Sequence, residues 1–106
     1  MNENTTTKNV EETIKRISSQ KGFIGLLILN HSGAVIRTTF EEEQAQIYGT
    51  FINRFLFHTK ESLTELKTDE ELTFLRLRTR KQDFLIVPEF QYTMVVVQDP
   101  NSESIL

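Results

Sequence analysis

Two apolar runs constrain the fold of this chain more than any other feature. Phe23–Leu29 is nearly continuous in apolar character, and Met94–Val97 is fully so. Neither alternates with polar residues, so each reads as a strand covered on both faces. A sheet with such a centre needs helices on both sides. Leu72–Lys81 has the opposite pattern. Its alternation puts Phe74, Arg76, Arg78 and Arg80 on one face of a strand, and Thr73, Leu75, Leu77 and Thr79 on the other.

The remaining elements follow from local signals. Residues 1–9 read as a flexible polar lead-in, with Asn9 as an N-cap and Glu12 reaching back to its amide. Val10, Ile14 and Ile17 recur at helical spacing, and Gly22 ends that helix. Asn30–Gly33 is a turn, and Ala34–Phe40 completes a hairpin with the first strand. Glu41, Glu42 and Glu43 place negative charge where a helix dipole favours it. The next helix should run from Glu43 to Leu66, about twice the usual length. Lys67–Glu71 breaks the pattern. Leu72–Thr79, Phe84–Val87 and Tyr92–Gln98 then form a three-strand meander, with turns at Arg80–Gln82 and Pro88–Phe90. The domain spans residues 10–100, and residues 101–106 form a short tail.

The predicted order is helix, two strands, long helix, three strands, with helices on both faces of the sheet. The first and fifth strands take the centre of the sheet, and the second and third become its edges.

The long helix carries more apolar surface than one sheet needs. Ala45, Tyr48, Ile52, Phe55, Leu56, Leu63 and Leu66 make one stripe, with Ile47, Phe51 and His58 about 100° further round. A long helix in a small domain can bury that width within its own chain. The sharper reading is that Ile47, Phe51, Arg54 and His58 meet the same helix of a second copy about a two-fold axis. Gly49 then permits close backbone approach, or is simply a tolerated surface glycine. The third strand is an exposed edge, where Arg76, Arg78 and Arg80 either discourage random pairing or accompany pairing with a symmetry mate. Helix and edge point to one side of the domain. The expected dimer interface is therefore Ile47, Phe51, Arg54, His58, Phe74, Arg76 and Arg78, with Phe57 and Arg80 as further partner contacts.

Several chemistries are excluded or weak. The net charge of -3 argues against nucleic-acid binding by overall charge, although Phe74 with Arg76, Arg78, Arg80 and Lys81 has the residue types of a strand clamp. With no cysteine there is no disulfide scaffold and no thiolate metal site. No apolar run approaches bilayer length, and the first nine residues lack the apolar core of a signal peptide. His31 and His58 have no ligand-spaced partner, so no metal is expected. Gly22, Gly25, Gly33 and Gly49 form no phosphate loop, and Ser18, Ser19 and Ser32 lack a nucleophile elbow. No catalytic residue, cofactor or small-molecule substrate is expected.

The chain resembles the dynein light chain roadblock family from about Val10 to Pro100. Val10–Ile17 through Gln20-Lys21-Gly22 is similar to its opening helix, and Asn30–Thr39, with Gly33, Ile36, Arg37 and Thr38, to its first hairpin. Tyr48 and Phe55 stand where its long helix carries aromatics. Leu72–Arg78, Val87-Pro88 and Val97–Pro100 resemble its most recognisable runs. The resemblance implies an α/β sandwich with a five-stranded antiparallel sheet, and homodimers, or dimers with a roadblock paralogue, formed through the long helix and third strand. It further implies binding to the dynein intermediate chain, no catalytic activity, and a cytoplasmic, cytoskeleton-associated location. Related domains act as scaffolds or regulators of Ras-like small GTPases. The chain departs from the family pattern in its polar N-terminus, its residues after Pro100, and Phe57, which points away from the main stripe to meet a partner or to lie under the tail. Such departures fit an axonemal dynein subunit of a cilium or flagellum.

Overall fold

The computed structural model describes residues 3–67 and 69–106. Helix α1 (Glu3–Ser18) leads into strands β1 (Phe23–Asn30) and β2 (Val35–Thr38), then helix α2 (Glu42–Leu63) and a 3-10 turn at Thr64–Leu66. Strands β3 (Leu75–Arg78), β4 (Asp83–Pro88) and β5 (Tyr92–Gln98) complete the chain. The sheet order is β2-β1-β5-β4-β3, antiparallel throughout. The two non-alternating runs lie side by side at its centre, with Leu27 opposite Val95 and Leu26 opposite Val96.

Each sheet face has its own core. Under α2 lie Leu27, Leu29, Ile52, Leu56, Phe84, Ile86, Val95 and Val97. Under α1 lie Ile17, Leu26, Ile28, Leu85 and Val96. Alternate residues of one strand serve opposite layers, so a strand buried on both sides has no place for a polar residue.

Four expectations are corrected. The expected lead-in is helical from Glu3, while residues 1 and 2 lie outside the described residues. Asn9 is inside α1, not at its cap, and its carbonyl accepts the Thr13 hydroxyl at 2.9 Å. No glycine or proline in residues 3–8 stops the helix. Gly49 is buried against the chain's own sheet, where a Cβ would stand 3.0 Å from Val35 Cγ2. It brings α2 close to β2, not to a second helix. The third strand is shorter than Leu72–Thr79. Continuing its register from Leu75–Ile86 and Leu77–Phe84 sets Thr73 opposite Pro88, which has no N–H to donate.

The β1–β2 hairpin is tied to α2. Asn30 Oδ1 accepts hydrogen bonds from the Ser32 and Ala34 amides, both at 3.0 Å, closing a turn in which Gly33 has φ +92°. Asn53 Nδ2 donates to the Gly33 carbonyl at 2.8 Å. Buried Gly25 leaves room for the Phe40 ring, which stacks edge-on against Tyr48 with centroids 5.0 Å apart.

Candidate functional site

The arc of α2 divides differently from the sequence expectation. Ala45, Gly49, Ile52 and Leu56 are the residues it buries. Tyr48 and Phe51 lie on its flank toward β4 and pack edge-on or tilted against Phe84, with centroids 5.4 Å away in both cases. Phe51 in turn meets Phe55 at 4.9 Å. Phe51 is therefore half-buried in the protomer, whereas Phe55 and Leu66, expected in the core stripe, are exposed. Ile47, Arg54 and His58 are exposed on the same flank, Ile47 at 56%. Phe57 lies one turn beyond Asn53, on the side of the β1–β2 turn, and is 64% exposed. The C-terminal tail does not cover it, because Ile105 packs into the layer under α1.

β3 is the free edge beside that flank. Leu75 and Leu77 pack into the core under α2. The Thr79 amide donates to the Gln82 carbonyl, in register with the Leu75 and Leu77 pairs. In an antiparallel ladder these odd-numbered residues bond to β4, so the backbone groups of Arg76 and Arg78 face outward along the open edge. The structure thus brings together Ile47, Phe51, Arg54 and His58 on one face and, next to them, a strand whose outer edge has no partner among the described residues. Phe74 precedes the strand and is 42% exposed, and Arg80 is exposed in the following turn.

The side chains of Arg76 and Arg78 go elsewhere. Arg76 stands opposite Leu85 and Arg78 opposite Asp83, on the α1 face of the sheet. Asp83 is fully buried. Arg76 donates to it in a fork, Nε to Oδ1 at 3.1 Å and Nη2 to Oδ2 at 2.7 Å, and Arg78 Nε approaches Oδ2 at 3.6 Å. Buried Gln98 adds a third donor, Nε2 to Oδ2 at 3.0 Å. Hydrogen bonding to Arg76 holds the Asp83 carboxyl below its ordinary pKa against the opposing cost of burial, and raises that of Arg76. The arginines therefore balance a charge within their own protomer. Their side chains are fixed on the opposite face from Ile47 and Phe51.

Gln98 extends this network into the tail. Its Nε2 also donates to the Glu103 carbonyl at 3.2 Å, and its Oε1 accepts the Ile105 amide at 2.9 Å. The Asp83–Gln98 pair, a buried structural network, is one that sequence reasoning missed. The available signal was an acid next to a cluster of arginines at the start of a buried strand.

Among the described residues, no group of three or more His, Cys, Asp or Glu could hold a metal, and no helix is long and apolar enough to cross a membrane.

These features define a small antiparallel α/β sandwich with an open strand edge next to an under-covered helix. A family model described as Roadblock/LC7 domain matches residues 9–99. The chain belongs to the Roadblock/LC7 domain family. A Roadblock/LC7 domain from Streptomyces avermitilis superposes with a TM-score of 0.76 at 5% identity, over 84% of this chain and 76% of that one. A structure of MglB with tetrameric arrangement gives 0.73 at 12% identity, over 90% and 74%. At these identities the likeness is one of fold.

Proposed function

We propose that this chain is a non-catalytic light chain of a dynein motor complex, which homodimerises and binds the dynein intermediate chain. The observation that carries the self-association is the free β3 edge beside Ile47, Phe51 and Phe55. A two-fold axis there would pair the outward groups of Arg76 and Arg78 with a second copy and cover the helix flank in one isologous contact. The tetrameric arrangement of MglB supports self-association as a property this fold allows. The buried Asp83 carboxylate is committed to an arginine pair inside the sheet, which fits a binding role.

In this reading the dimer presents two equivalent surfaces to a helical segment of the intermediate chain. Joining two sites on a flexible motor tail raises their effective concentration. The location is cytoplasmic and cytoskeleton-associated, including the axoneme of a cilium. Capture of partners with the tagged protein tests the reading. Recovery of a dynein intermediate chain is the expected result. Recovery of a Ras-like small GTPase without any dynein chain would replace it with a GTPase scaffold or regulator.

A further inference from the structure

A groove of about 620 Å³ lies between the C-terminal end of α2, the segment before β3, and the β4–β5 turn. Leu63 and Leu72 line it, and Phe90 stands at its rim, 96% exposed. A lone exposed aromatic is common on protein surfaces. This one tops a turn, where polar residues usually serve, and it shares a concavity with two leucines.

The electrostatics of the groove are one-sided. Glu70, Glu71 and Glu89 line it against a single cation, Lys60. The negative end of the α2 dipole adds to the carboxylates, since Leu63 and Thr64 of that terminus are part of the wall. Cationic side chains flanking an apolar stripe complement both features.

We infer that this groove docks a cationic amphipathic segment of a partner protein. Its apolar side chains seat against Leu63, Leu72 and Phe90, and its lysines or arginines face Glu70, Glu71 and Glu89. An arginine stacked on the Phe90 ring adds a cation–π contact. All of the groove's lining residues come from one protomer.

Fluorescence anisotropy with a short helical peptide of Leu, Ala and Lys tests this, with a matched Leu, Ala and Glu peptide as control. The lysine peptide binds and the glutamate peptide does not. Phe90→Ser weakens binding roughly tenfold or more, because it removes nearly a whole aromatic contact. Glu70→Lys with Glu71→Lys abolishes it. Glu12→Lys with Glu41→Lys makes the same charge change at remote exposed positions and leaves it intact. Unchanged affinity in Phe90→Ser, or equal loss in the two charge-reversed proteins, would overturn the proposal.

Discussion

Ile47→Ser separates the dimer from the protomer. Ile47 is 56% exposed on α2, outside the core that the helix buries. Serine and isoleucine have similar helix propensities, and the part of Ile47 already covered in the protomer contributes roughly 0.7–1.3 kcal/mol, so the protomer should lose about that much. Full burial of an isoleucine contributes about 1.5–3 kcal/mol, so the part still exposed offers roughly 0.8–1.7 kcal/mol. A two-fold contact contains the residue twice, which makes roughly 1.7–3.4 kcal/mol, or about 20- to 300-fold in the dimer dissociation constant. Dilution of donor- and acceptor-labelled protomers, followed by fluorescence transfer, measures that constant. Phe57→Ser, on the other flank, should leave it unchanged. Phe51→Glu should weaken both dimer and protomer, because Phe51 also packs on Phe84. An unaltered constant for Ile47→Ser would refute the placement of this flank at the interface.

Gly25→Ala would drive a Cβ into the Phe40 ring and should cost roughly 1–3 kcal/mol in urea unfolding. Asp83→Asn should flatten the acid limb of the stability curve. The folded Asp83 carboxyl lies below its unfolded value of about 3.9, so its contribution is full above that pH and is lost progressively as pH falls from there through the lower folded pKa. The stability gap between the native protein and the variant, by chemical unfolding, should therefore narrow below about pH 4. Gln98→Leu removes a donor from Asp83 and both contacts to the tail, and should cost roughly 1–3 kcal/mol. Amide exchange at Ile105 should accelerate in the same variant.

The fold was legible because burial on both faces leaves a direct mark. Phe23–Leu29 and Met94–Val97 lack alternation for the reason that layers of side chains lie above and below them. Sheet order followed from placing those two strands together. Element ends were less legible. The start of β3 depends on Pro88, a residue in another strand, and the Asn9 cap signature loses to a helix that nothing upstream interrupts. On the surface, the alternation separated the two faces correctly over Leu75–Arg78, while Phe74 and Arg80, expected on the arginine face, lie outside the strand. It did not show that Arg76 and Arg78 converge on Asp83, because that pairing arises only once β3 and β4 are in register. Likewise the helical wheel could not rank Phe51 against Phe55. The position of Phe84 on the neighbouring strand decides which of them is covered.

Native mass across a dilution series tests most directly whether β3 and the α2 flank join two protomers. Sedimentation equilibrium should return twice the 12.4 kDa of one chain at micromolar concentration, with β3 amides that lose protection as dimers dissociate. A single 12.4 kDa species at every concentration, with the outward amides of Arg76 and Arg78 exchanging freely throughout, would contradict the account.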